Sequence, residues 1–250
     1  MDRRRMCIFS GKRTDLRVAG TRIYGRLDGD RQCLVYSMQL ASRNDVTMIL
    51  PVPVVVGAPD DAMRFVDLSE YSTLFDDLAV LFAPPPSAFG PPQSGAAPLE
   101  LPARLVVHEV GAFVASFVPR LGDFSRLDPR FRLPDALWAQ LPQYADWGFA
   151  VFQLAKGDAK IHPMAFHFPT REPSRVFFPT VHVHDGSVRE LAAFDHELYW
   201  QGAPEGHVTD GVSLAPVSAS NAERSTGLLL AAGARRRVLR GHHENADVWI

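Results

Sequence analysis

Twenty prolines spread through 250 residues constrain this chain more than any other feature. Each removes a backbone donor and fixes φ, so long helices and long central strands are both interrupted. The sequence therefore predicts many short elements joined by rigid turns. Only two cysteines are present, Cys7 and Cys33. That excludes a disulfide framework and a zinc knuckle of the CxxC kind, so packing alone must hold the core. The chain is long enough to bury one. A formal net charge of −2 gives no global electrostatic case for nucleic acid. There is no run of about 18 apolar residues to cross a membrane, and MDRRRMCIFSG lacks the apolar stretch of a signal peptide. The expectation is a reduced, cytoplasmic protein with no membrane or nucleic-acid partner.

The periodicities predict a β-rich α+β fold, a single domain over 1–250. Its sheets should be largely antiparallel, a sandwich or a strongly bent sheet with about three short helices on one side. Residues 21–56 read as a meander. Asp28-Gly29-Asp30 is a hairpin signal, because Gly accepts positive φ. The following strand puts Leu34, Tyr36, Met38 and Leu40 on one face, and Cys33, Val35, Ser37 and Gln39 on the other. VTMILPVPVVV is apolar throughout, which suits a strand covered on both sides, with Pro51 and Pro53 where it leaves the sheet or bulges. Helical spacing of Leu74, Phe75, Leu78 and Phe82 predicts a helix over 70–82, capped by Ser69 or Ser72. The Pro/Gly/Ala/Ser-rich stretch 83–98 predicts a surface loop. Strands are expected at 103–110, 112–118 and 147–155, with a short helix between Pro134 and Pro142. A capping box of Ser220 and Glu223 predicts a helix over 221–232 that stops at Gly233. RRRVLRG and ADVWI can supply two last strands.

Five of the nine histidines fall within 160–201, the clearest run of expected strands: 160–168, 175–184, 188–194 and 196–201. His182 and His184 are two apart, so in a strand both face one way, roughly 7 Å apart at Cβ. Both imidazoles then reach one ion. His162 or His167 can complete a three-histidine site, but not both, since five residues place them on opposite faces of a regular strand. His196, beside Asp195 and Glu197, is a further candidate. Neutral imidazole suits a divalent transition metal, and an open coordination position would make the site catalytic. A metal-free histidine-lined pocket and ordinary core or surface histidines are the competing readings. HVHDG lacks the chain position of the amidohydrolase His-x-His and the spacing of the metallo-β-lactamase motif.

The segment from Met6 to Gly11 resembles the beginning of an N-terminal-nucleophile hydrolase, and Gly25-Arg26-Leu27-Asp28 resembles the Gly-Arg segment of bile-salt-hydrolase-like members. With translation starting at Met6, this resemblance implies amide hydrolysis by Cys7, its own α-amine acting as base. Otherwise Cys7 is a small buried hydrophobe or an internal reactive thiol. The block 7–53, from Cys7 through Gln32-Cys33-Leu34-Val35-Tyr36 to Met48-Ile49-Leu50-Pro51-Val52-Pro53, also resembles an uncharacterised bacterial domain-of-unknown-function family. Members carry an early Cys, a Gln-containing strand pair and a Leu-Pro-x-Pro strand. That resemblance implies no activity.

Arg235, Arg236, Arg237 and Arg240 form a basic patch, read as a solvated face or an anion-contact spot rather than a nucleic-acid site. There is no Walker loop, no GxGxxG and no Gly-x-Ser-x-Gly elbow. Two function classes remain. One is a small-molecule enzyme with a histidine-lined, metal-dependent pocket around His182 and His184. The other is a non-catalytic binding module that offers its sheet to a protein partner.

Overall fold

The computed structural model describes residues 8–10, 16–83, 113–129, 132–160, 162–183, 187–202 and 211–250. Among them are thirteen strands and three short α-helices. Strand outweighs helix by 44% to 16%, and the pairing is mostly antiparallel.

The four-stranded sheet contains β1 (Ile8–Ser10), β4 (Val46–Val52), β7 (Gly148–Leu154) and β6 (Val114–Val118), in that spatial order. The seven-stranded sheet is built on β2 (Arg17–Asp28) and β3 (Arg31–Ser42). Outward from β2 lie β11 (Leu191–Gln201) and then β12 (Arg235–Glu244). Outward from β3 lie β9 (Met164–Pro169) and β5 (Arg64–Val66), while β8 (Gly157–Lys160) pairs with the far end of β3. Among the described residues, only β2 and β11 run parallel. A two-stranded ribbon joins β10 (Phe177–Phe178) to β13 (Val248–Trp249).

Alternation along β3 builds the layers. Leu34, Tyr36, Met38 and Leu40 pack in the main core with Met48, Leu50 and Val52 of β4 and with Ala150 and Phe152 of β7. Cys33 and Val35 face a second core, under Leu74, Phe75 and Leu78 of α1 (Leu74–Val80) and Leu228 and Leu229, just after α3 (Ala219–Arg224). A third core covers the outer face of the smaller sheet. There Ile49, Phe149 and Val151 meet Phe124, Tyr144 and the residues Leu137 and Trp138 of α2 (Asp135–Trp138). The sandwich holds as expected, but helices cover both outer faces rather than one. Full burial of β4 fits a strand covered on both sides. Its Pro51 does not leave the sheet as expected: it stays in register opposite Phe149 of β7, beyond Thr47, Met48 and Ile49, the residues that β1 pairs, while Pro53 follows the strand's end.

Several boundaries differ from expectation for identifiable reasons. The hairpin at Gly29 forms, with φ of 61°. The strand expected over 160–168 is two strands, β8 and β9, broken around Pro163, which has no N–H for a ladder. The strands expected at 188–194 and 196–201 are one, because β11 pairs with β12 in one unbroken register from Leu191 to Trp200. The helix expected over 70–82 is α1 preceded by a 3-10 turn at Ser69–Tyr71, and neither Ser69 nor Ser72 caps it. Helix α3 begins two residues before the expected box: the cap is Ser218, whose Oγ accepts from Asn221 N–H at 3.1 Å. It ends at Arg224 because Thr226 and Gly227 take positive φ of 54° and 83°. The expected strand 103–110 and nearly all of the loop 83–98 lie outside the described residues.

Candidate functional site

Among the described residues, the strand expected over 175–184 forms only at Phe177–Phe178. Residues 179–183 are buried without a strand ladder because side chains satisfy their backbone. Asp247 Oδ1 accepts from Thr180 N–H at 2.8 Å and Val181 N–H at 3.2 Å. Asn245 accepts from His182 N–H at 2.7 Å and donates to His182 O at 2.8 Å. This clasp drives His182 onto the inner face of β11.

There it meets His196 of β11. The two Nε2 atoms lie 3.4 Å apart, and the rings stack at 5.0 Å between centroids. Phe194 stacks on His182 at 4.3 Å. Both histidines are fully buried. With two nitrogens that close, one ring carries its proton on Nε2 and the other presents a bare Nε2. Burial pushes the His196 pKa down to about 3, so that ring stays neutral near pH 7.

The other expected ligands fall elsewhere. His162 stacks on Phe113 at 4.6 Å between β8 and β9. His167 lies on β9, opposite Cys33 on one side and Arg64 on the other. His162 thus lies in the link before β9, and strand parity does not relate it to His167. His184 and Cys7 lie outside the described residues. Among the described residues, no three His, Cys, Asp or Glu side chains converge in a metal-binding group. The Gly-Arg segment has structural work to do. Gly25 lets Val176 approach, and Arg26 donates to Leu228 O at 3.1 Å and Gly227 O at 3.0 Å. Burial raises the Cys33 thiol to about 11, which keeps it un-ionised at neutral pH.

The open chemistry is on the helix-side face of the larger sheet. Helix α1 and the residues Leu228 and Leu229 after α3 cover its apolar half. Its polar half remains a cleft of about 720 Å³, lined by Arg22, Asp76, Asp195, Glu197 and Arg240 among others. A bulge at Gly20 and Thr21 in β2 shapes its floor, and Gly20 N–H donates to Asp195 Oδ2 at 2.9 Å. Arg22 pairs with Asp76 at 2.6 Å; Arg240 lies 3.6 Å from Glu197, which accepts from Tyr199 OH at 2.6 Å. These residues come from four separate elements, so no local motif announces them.

The rim of this cleft is β12, the end strand of the sheet. Arg236 N–H donates to Gly211 O at 2.8 Å, on the side away from β11. Ladder alternation then directs the backbone of Val238 and Arg240 outward too. Among the described residues, only the short stretch around Val212 pairs with this outer edge. The four arginines read as a basic patch therefore lie on an edge strand.

No family model matches this chain, and no curated protein matches it. Among solved structures, the crystal structure of baculovirus P35 matches 97% of this chain and 98% of its own, with a TM-score of 0.50 and 10% identity. At that identity the likeness shows the fold alone.

Proposed function

We propose that this chain is a non-catalytic β-rich binding module that offers the edge of its seven-stranded sheet to a protein partner. The outward backbone of β12 carries this reading: among the described residues its outer side has no strand partner between Arg236 and Arg240, and such an edge is a template for an added strand. The non-catalytic half has separate support. Catalytic groups combine a displaced pKa with access to a cleft. Here His196, Cys33 and Asp247 are displaced by burial but enclosed, and none of them lines the 720 Å³ cleft.

Selection from a random-peptide display library tests the proposal. Enriched peptides should bind the parent chain and an Arg126→Ala control alike, and lose binding in Val238→Pro, which removes an outward N–H. Enriched peptides indifferent to Val238→Pro would overturn the proposal. So would about one tightly held transition-metal ion per chain that disappears in His182→Ala, which favours the metal enzyme instead.

A further inference from the structure

The side chains of β12 say what chemistry an added strand must carry, an inference that rests on the reading of β12 as a docking edge. The geometry points to an extended acidic segment, antiparallel to β12, with an apolar residue opposite Val238 and a carboxylate two positions to either side. The window is short and defined. Arg236 N–H is already taken by Gly211 O, and His243 Nε2 sits 3.0 Å from Arg240 O. Gly241, at φ of 89°, turns the backbone just beyond. Among the described residues, the C=O of Arg236, both groups of Val238 and the N–H of Arg240 remain for a ladder. An added residue opposite Val238 exchanges both bonds with it.

Register then assigns the side chains. Directly opposite residues in an antiparallel pair share a face, with Cβ atoms about 5 Å apart. The residues two away from the centre therefore lie opposite Arg236 and Arg240, within reach of a carboxylate–guanidinium pair. Val238 is 38% exposed, and the Arg240 side chain is 75% exposed. Arg240 can turn from Glu197 to an incoming carboxylate, because Glu197 keeps Tyr199 OH. Arg236 lies over the Phe82 ring at 4.7 Å, which leaves its charge in place. Arg235 and Arg237 add positive potential from the other face. Four arginines in the six residues 235–240, on a chain of net charge −2, select for acid. Edge arginines also discourage self-pairing of sheets, and that role alone would confer no preference for acidic peptides over neutral ones.

The probes are three fluorescein-labelled heptapeptides: Thr-Glu-Thr-Val-Thr-Glu-Thr, and its forms with Gln or Lys in place of both Glu. Anisotropy titrations should show the Glu peptide binding at least about tenfold tighter than the Gln peptide, with an advantage that shrinks as salt rises. The Lys peptide should not bind. Arg240→Glu should weaken the Glu peptide about tenfold and improve the Lys peptide. Val238→Pro should abolish binding of the Glu peptide. Equal binding of the Glu and Gln peptides, lost in Val238→Pro, overturns the acidic assignment and leaves the docking edge standing. Failure of all three peptides does the same where library selection still yields edge-dependent binders; without such binders both readings fall. Should Val238→Pro not fold, the Arg240→Glu charge reversal decides, and a Glu peptide indifferent to it overturns the inference.

Discussion

Gly25 shows how a single residue sets the approach of one segment, Val176 to Phe178, to the larger sheet. A Cβ built there would lie 2.6 Å from Val176 Cγ1 and 3.3 Å from two ring carbons of Phe178. Real carbons do not approach to 2.6 Å, so Val176 or β2 must move. Gly25→Ala should therefore destabilise the fold by about 1–3 kcal/mol, the usual cost of overpacking a filled core. Val176→Ala removes the clashing carbon. In the double variant the combined loss, measured by urea unfolding, should be smaller than the sum of the single losses by more than about 0.5 kcal/mol. Additive losses would show that the glycine is needed for another reason. This residue's constraint was not legible in the sequence. Gly25-Arg26 suggested a hydrolase segment, yet what each touches, Val176 and the carbonyls of Gly227 and Leu228, lies some 150 to 200 residues away. Val176 and Leu228 carry no local mark of that contact.

The elements were legible in proportion to how locally their backbone bonds are made. Strand β3 follows its side-chain alternation residue by residue, and its hairpin follows from Gly29, because both depend on neighbours in sequence. The segment 179–183 could not be read in the same way. Its amides are satisfied by Asn245 and Asp247, more than 60 residues downstream, so a run with a strand's composition forms no strand. The histidine reading turns on the same point. The pairing expected within His182-x-His184 assumed a strand; His182 sits outside any strand, against His196 on β11, and His184 lies outside the described residues. The clasp itself is testable. Asn245→Ala removes hydrogen bonds to His182 N–H, His182 O and Arg189 O. At roughly 1 kcal/mol for each bond, with a further cost for buried groups left unpaired, the loss should be about 2–4 kcal/mol. Hydrogen exchange should accelerate first at residues 180–183, ahead of β3 and β9. Uniform acceleration across both sheets would show that the clasp is not a separate unit.

For the whole molecule, the same clasp joins two buried groups whose protonation opposes one another. His196, pushed down to about 3, is neutral in the folded chain, whereas an unfolded histidine titrates at about 6.5. Between these values the unfolded chain binds the extra proton, so this group costs stability as pH falls from about 6.5 to 3. Asp247 is raised to about 6 by burial, although Tyr144 OH and two backbone N–H groups hold its carboxylate. An unfolded aspartate titrates at about 3.9, so between about 6 and 4 the folded chain binds the extra proton, and this group gains stability as pH falls. Each slope is at most about 1.4 kcal/mol per pH unit, and over the shared window they cancel. The parent chain should therefore lose little stability from these two groups between pH 6 and 4. Asp247→Asn leaves His196 unopposed, and its unfolding free energy should fall more steeply than the parent's across that window. His196→Phe leaves Asp247 unopposed, and its stability should fall less than the parent's, or rise, over the same range. Surface carboxylates contribute equally to all three chains and drop out of the comparison. Urea unfolding at pH 7, 6, 5 and 4 measures the three curves. Parallel curves would show that neither buried group changes its proton affinity on folding, and that the clasp holds these segments together by hydrogen bonding and packing alone.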